Sequence, residues 1–467
     1  MSPKFESSDI PAKSGSFWQL AGPGAVLVGL SIGAGELIVW PRNTAQFGAS
    51  MTWAAVLGVF FQFWINCEVG RYTLATGESI YGGFLRVSRH FAWIFLLLNV
   101  CSWILPGWAR ACGGALKVLI VGPQGWGDPW IWTTITFIGV AFVLFGPKHM
   151  YASLEHTVEA LVVLITVGLI VIAFSVGDAS TWKDLGSGML NIPYKDPDMA
   201  TYDLFSSIVF AGAGGTANLF FSFYIRDKGW GMGALVPKVL NPLREREETT
   251  ADHAFQITSN EQNIQRWKAW FRHLHVDQIL FFWFLNTFTI LLFIYGALAV
   301  LHPRGIVPNQ ELLVWQEAEI MGSLWGSFGK ILFLLVGMAC LFSTQLTLID
   351  GVARSCADIL HTNYAWAQKK PVSWWYGTIA VGWIILGIVL TYLYESLPPI
   401  LFLMGSAFFG GIAMAIYTPL TLILNRKYLP VEMRPGPVRT AILGVISVFY
   451  ILFAVISVAI LTQRLFV

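Results

Sequence analysis

Gly33, Ala34, Gly35 and Glu36 stand inside an apolar run from about Val26 to Val39, where a membrane-crossing helix has no ordinary use for two glycines and a carboxylate. A second apolar run, between Phe205 and Tyr224, is interrupted by Ala211-Gly212-Ala213-Gly214-Gly215-Thr216. A helix that restarts after such a break aims its free N–H groups and positive dipole end into the gap. Gly33, Ala34, Gly35, Gly212, Gly214, Gly215 and Thr216, with Asn218 just beyond, would then line a pocket of backbone donors without bulky side chains. That is chemistry for a small anion, such as bicarbonate or a small carboxylate. Any one of these glycines is better explained by a kink or by tight packing. Two breaks at matching places point to a binding site, because unwound backbone survives at membrane depth only beside a cavity.

Glu36 would repel an anion beside it, and two readings are open. It binds a co-transported Na⁺ or carries a proton, for which burial in low dielectric suits a carboxyl group. Alternatively it caps the outer half of a broken first helix. Arg110, in the run Pro106-Gly107-Trp108-Ala109-Arg110, poses the same kind of choice. An arginine within a span is costly unless it lines water or is paired, so it is either a pathway charge or the structural partner of a carboxylate such as Glu68. No nucleophile, general base and orienting group recur at a workable spacing, so no catalytic residues are expected. His273 and His275 are two residues apart and point to opposite sides of a helix, so no metal site is expected there either. The five cysteines, Cys67, Cys101, Cys112, Cys340 and Cys356, show no pairing or ligand spacing and read as small buried hydrophobes.

The elements that must position these residues are membrane helices. The 467 residues are 55% hydrophobic and 12% charged, with a mean hydropathy of +0.62, which excludes a soluble globular domain of this size. A net charge of only +2 implies no nucleic-acid partner; the partners are the lipid bilayer and a small inorganic or organic ion. The first residues carry no apolar stretch behind a basic one, so no cleaved signal is expected. About eleven apolar windows are long enough to cross the hydrocarbon. They organise the chain as a tail over 1–16, a first group of five spans over 17–176, a loop over 177–202, a second group of five over 203–424 with a long loop at 227–276, and a connector with an eleventh span over 425–467. Arg86, Arg89, Lys148, Lys369, Lys370, Arg426, Lys427, Arg434 and Arg439 fall in loops on one side, while 177–202 carries Asp178, Asp184, Asp196 and Asp198. The bias of basic residues predicts a cytoplasmic N-terminus and an outside C-terminus, in a plasma (inner) membrane. A break in the first span that returns in the sixth, crossing the other way, predicts two inverted five-helix repeats.

Four further pieces carry a resemblance: Gly22-Pro23-Gly24 before the first break, Ala45-Gln46-Phe47-Gly48 after it, Ala75-Thr76-Gly77 at the end of the second span and Asn218-Leu219 in the sixth. With the order and lengths of the spans, they make the chain resemble a divergent member of the Nramp (SLC11-like) family of metal-ion carriers. The resemblance implies an all-α polytopic LeuT-type fold, in which two inverted five-helix repeats are followed by one extra helix and the first and sixth helices are broken. It also shows what is missing. The family's Asp-Pro-Gly-Asn reads Gly33, Ala34, Gly35, Glu36 here, and its Met-Pro-His-Asn reads Gly215, Thr216, Ala217, Asn218. The carboxylate, amide and thioether that would hold Mn²⁺ or Fe²⁺ are replaced, and the preference for transition metals should go with them. Where the family has two carboxylates in the proton path of its third helix, Gly107 and Arg110 stand. Ser343 and Thr344 fall where many LeuT-fold carriers place hydroxyl ligands for Na⁺, although such hydroxyls more often bond back to their own helix. Glu155, His156 and Glu159 resemble a family stretch at one end of the fifth helix, and Asn286, Ser406, Gly410 and Gly411 are placed to border the cavity.

The expectation is therefore a secondary active transporter of a small anion, coupled to Na⁺ or H⁺ by alternating access, with no other cofactor. A carrier of a hard divalent cation such as Mg²⁺, or of Mn²⁺, with Glu36 and Asn218 among oxygen ligands, is the first alternative. A receptor that kept the fold and lost transport is the second; the short tail after the last span argues against it.

Overall fold

A computed structural model describes residues 5–20, 22–146, 163–164, 166–236, 254–309 and 312–466, and within them the chain is almost wholly helical. Lys148, Glu155, His156 and Glu159 lie outside the described residues. Among those described, eight helices are long and apolar enough to cross a membrane: Pro23–Phe47, Thr52–Thr76, Phe91–Val121, Glu261–Arg304, Glu319–Asn363, Val372–Leu393, Pro399–Tyr428 and Pro437–Gln463. Pro129–Phe145 and the described stretch Thr166–Ser175 are shorter apolar helices, and one further segment is split into Thr201–Val209 and Ala217–Lys228. These fall at the eleven windows that hydropathy marks, and are called the first to eleventh spans in chain order.

Three spans depart from expectation. The first is continuous: its middle, Ile32–Val39, is π-helical, and the Trp40 N–H donates to the Gly35 carbonyl five residues back. The expected break at Gly33–Glu36 is thus a widening, which changes the pitch without leaving a peptide group unpaired in lipid. The third span is two helices, Phe91–Trp103 and Gly107–Val121, parted at Pro106, which has no N–H to give the ladder. The seventh starts early, at Glu261, where the Asn260 side chain accepts from the Asn263 N–H at 2.8 Å as an N-cap, so part of the expected 227–276 loop is helix. The sixth span is broken as anticipated, over Phe210–Thr216.

Side chains lock the face where the first span starts. Asp277 accepts from the N–H groups of Gly22 and Gly24, at 3.3 and 2.8 Å, capping the first span from the seventh. Strand Glu6–Ser8 pairs in parallel with Phe255–Ile257, Glu6 opposite Phe255. The Trp270 and Arg266 side chains donate to the Pro11 and Ile10 carbonyls. Tyr72 and Arg86 both donate to Glu78, whose carboxyl burial pushes up against the pull of Arg86.

Glu68 belongs to this face, and the pairing with Arg110 does not form. Glu68 takes a fork from Arg71 at 2.7 and 3.0 Å, a bond from Asn425 at 3.0 Å and a looser one from Arg439 at 3.5 Å. It thereby ties the second span to the tenth and eleventh. Arg110 is fully buried elsewhere, donating to the carbonyls of Tyr394, Glu395 and Leu397 at 2.6–2.8 Å. Those carbonyls follow the C-terminus of the ninth span, where a cation is favoured by the helix dipole. Arg110 is a clamp on a helix end.

Arg110→Ala removes three charge-assisted bonds to this helix end and is expected to destabilise the protein by about 2–3 kcal/mol. Arg110→Lys, a point charge without the planar fork, should recover only part of this. Thermal unfolding in detergent, followed by the fluorescence of the 21 tryptophans, measures both.

Candidate functional site

The break in the sixth span is held by side chains of its neighbours. Gly214 and Gly215 turn through φ values of 73° and 49°, a left-handed region that favours glycine. Gln62, from the second span, reaches both sides of the gap. Its Nε2 donates to the Val209 carbonyl at 2.9 Å, and its Oε1 accepts from the Gly214 N–H at 3.0 Å and the Asn218 amide at 3.1 Å. Asn286 of the seventh span donates to the Ala211 carbonyl at 3.0 Å. The Tyr417 hydroxyl of the tenth donates to the Gly215 carbonyl at 2.8 Å, and the Trp103 indole of the third donates to the Thr216 hydroxyl at 2.7 Å. A buried polar group without a partner costs about 1–3 kcal/mol even in a protein interior, so this bracing decides whether the break can exist.

These partners correct the expected donor set. The Gly214 N–H and the Asn218 amide donate to Gln62 in holding the break, and the Thr216 hydroxyl accepts from Trp103. Gly33 and Gly35 lie within the continuous ladder of the first span. Gly212 and Ala213 keep N–H groups that no described residue accepts. Both line a small central cavity, with Gly35 opposite and Trp103, Trp108 and Phe210 closing it. Its volume of about 10 Å³ holds one water at most. Trp103 and Phe210 are nearly parallel, 8° apart with centroids at 6.2 Å. Gly35 packs so closely that a Cβ there would overlap the Phe210 carbonyl oxygen.

Of the two hydroxyls marked in the eighth span, Thr344 lines this cavity beside Gly33, and Ser343 does not. The Thr344 hydroxyl donates to the Cys340 carbonyl at 2.9 Å. Glu36 is fully buried and outside the cavity lining, and neither carboxylate oxygen has a hydrogen-bond donor. Thr289 adjoins it, with a hydroxyl that lies between the carbonyls of Leu285 and Asn286, at 3.0 and 3.2 Å. The capping reading of Glu36 falls, because no helix restarts beside it. Of the other cavity-border residues, Asn286 braces the break, Gly410 packs on Gly215, and the Ser406 hydroxyl is buried without a partner. His273 sits among the rings of Phe17, Trp230 and Trp270, while His275 meets Phe271 and Arg439.

Sequence reasoning missed Gln62, Tyr417 and the aromatic closure. Gln62 was visible, with Asn66, as one of two amides in an apolar span, a residue type that marks function or bracing by default. Tyr417 and Trp103 carried no such signal, since aromatics are common throughout this chain.

On the face bearing 177–202, a cavity of about 410 Å³ opens among Arg42, Asn43, Tyr202, Asp203 and Met404. Two others, of about 480 and 440 Å³, flank it around Asp198 and Asp184.

No family model matches the chain. It is 20% identical over 413 residues to an uncharacterized protein of Pasteurella multocida (strain Pm70), covering 87% of this chain and 85% of that one. It superposes on a manganese transporter from Eremococcus coleocola with a TM-score of 0.65 at 14% identity, covering 97% of this chain and 89% of the other. The same transporter bound to an aromatic bis-isothiourea compound gives 0.66 at 15% identity, with 96% and 88% covered. Mhp1, a nucleobase-cation-symport-1 family transporter with bromovinylhydantoin bound, matches with a TM-score of 0.52 at 14% identity over 98% of this chain and 95% of its own. The chain is an integral membrane protein with the all-helical LeuT-type transporter fold.

Gln62→Leu keeps the volume and removes every bond across the gap. Amides over 208–218 are expected to exchange with deuterium markedly faster, and stability to fall by at least about 2 kcal/mol. Hydrogen-exchange mass spectrometry and thermal unfolding read the two effects.

Proposed function

We propose that the protein is a secondary transporter, divergently related to the Nramp carriers, that moves a small planar anion such as bicarbonate or a small carboxylate, coupled to Na⁺ or H⁺ through Glu36. The observation that carries this reading is the pair of unclaimed N–H groups of Gly212 and Ala213 at the central cavity, with no carboxylate on its walls. Two N–H donors from adjacent residues suit the two oxygens of a carboxylate, and the flat faces of Trp103 and Phe210 suit a planar group. Gly35, Gly212 and Thr344 are the remaining contact positions. Gly33, Gly214, Gly215, Thr216 and Asn218 shape the site from behind.

The cavity is too small for such an anion as it stands, so loading needs the first span and the sixth-span break to part. Alternating access supplies that movement, with the wide cavities of the 177–202 face as the side open to solvent. The charge bias of the loops supports placing that face outside the cell, the N-terminus inside, and the protein in a plasma membrane.

A divalent-cation carrier has less to stand on, although the Eremococcus coleocola neighbour is a manganese transporter. Among the lining residues, none offers a carboxylate, imidazole or thioether. A neutral planar amide ring is a second reading, favoured by the parallel Trp103 and Phe210 planes and by the hydantoin bound in the Mhp1 structure.

In proteoliposomes, saturable uptake of labelled bicarbonate or acetate is expected under a Na⁺ or proton gradient. Gly35→Ala pushes a Cβ into the Phe210 carbonyl and should lower uptake more than about tenfold while the protein remains folded. Uptake of neither anion, with manganese or a hydantoin accumulated instead, would sink the anion reading.

A further inference from the structure

We propose that Glu36, Asn286 and Thr289 form the binding site of a dehydrated monovalent cation of the Na⁺ class, where the first and seventh spans meet beside the central cavity. This rests on the transporter reading and gives its coupling ion a place other than the Ser343 and Thr344 hydroxyls.

The three residues are joined by a closed ring of contacts. Gly35 packs against the Phe210 carbonyl. The next carbonyl, Ala211, holds the Asn286 amide at 3.0 Å. Asn286 and Thr289 lie one turn apart on the seventh span, and Thr289 adjoins the Glu36 carboxylate. Glu36 follows Gly35 in the chain and returns the ring to its start.

The donors and acceptors around this ring do not balance. Only the NH₂ end of an amide can meet a carbonyl, so the bond to Ala211 fixes the Asn286 side chain and leaves its Oδ1 without a partner. The one proton of the Thr289 hydroxyl has backbone carbonyls at 3.0 and 3.2 Å to receive it, which leaves oxygen lone pairs for a ligand. Both Glu36 oxygens lack donors, and Glu36 and Asn286 are fully buried. The cluster therefore holds several buried oxygens, one carboxyl group and, as its one remaining donor, the second N–H of Asn286. A proton on Glu36 closes one of these gaps. A cation closes all of them at once, and a single carboxylate neutralises a single charge. An all-oxygen set favours a hard ion over a transition metal.

The helix geometry fits the same use. Glu36 lies within the π-helical Ile32–Val39, and Asn286 directly follows the π-helical Gln278–Leu285. Such widened turns recur at functional sites because they re-aim a side chain without breaking the helix. Cys340 of the eighth span is a titratable group that also senses Glu36.

The test is thermal unfolding of the purified full-length protein in detergent at neutral pH, in NaCl, LiCl, KCl or choline chloride at constant ionic strength. A saturable rise in Tm with NaCl over choline chloride is expected. Glu36→Gln should abolish it, and Thr289→Val, whose hydroxyl otherwise bonds only within its own helix, should weaken the apparent Na⁺ affinity roughly tenfold. Thr289→Val decides the matter if Glu36→Gln does not fold. A wild-type Tm that no alkali cation distinguishes from choline, or that follows pH alone, would overturn the proposal, as would a Na⁺ response intact in both variants. A Na⁺ response that stands while anion uptake fails would overturn the substrate assignment and support the cation site.

Discussion

Phe210–Thr216 places several peptide groups at membrane depth without a helix to pair them, and much of this molecule is arranged to satisfy them. Lipid offers no hydrogen bonds, so each unpaired group must be met by a side chain or left facing the cavity. Gln62, Asn286 and Tyr417 meet the carbonyls of Val209, Ala211 and Gly215 from three different spans. The break therefore holds the bundle together as well as opening a site within it. The N–H groups of Gly212 and Ala213, which these braces leave free, are the ones at the cavity.

The first span meets a related demand by another route. It must pass close to the Phe210 carbonyl, which only a residue without a Cβ allows at Gly35. The π-helical widening around it keeps the backbone bonded to itself while turning Glu36 toward Thr289. The polar groups at this crossing thus come from side chains on the first and seventh spans, whereas those at the cavity come from the backbone of the sixth. Two chemically different polar clusters lie side by side as a result, one with free N–H donors and one rich in oxygens.

The two faces of the bundle are held differently. Where the first span begins, Asp277 caps its N-terminus and Glu68 gathers Arg71, Arg439 and Asn425 from three spans. A buried carboxylate with such partners adds little net stability but penalises any arrangement that separates them. On the 177–202 face the cavities of about 410–480 Å³ leave room between the ends of the first, sixth and tenth spans.

Hydropathy alone marked eleven spans, because a helix must be apolar over a fixed length to cross hydrocarbon whatever it packs against. The interruption at Ala211–Thr216 was equally legible, since glycines clustered in an apolar run have few other uses. The resemblance drawn from the sequence also implied that the metal-ligand motifs of the Nramp carriers are replaced at Gly33–Glu36 and Gly215–Asn218. Partners across the fold could not be read this way. Arg110 and Glu68 are opposite charges in neighbouring spans, yet Arg110 clamps the carbonyls after the ninth span and Glu68 pairs with Arg71. Gly33-Ala34-Gly35 and Ala211–Thr216 look alike as strings, yet one stays helical and the other unwinds. The difference lies in what surrounds each: Gln62, Asn286 and Tyr417 stand ready to replace the lost backbone bonds of the sixth span, while the widened first span keeps its own ladder. Local sequence can permit a break, but only tertiary neighbours can satisfy the groups that a break exposes.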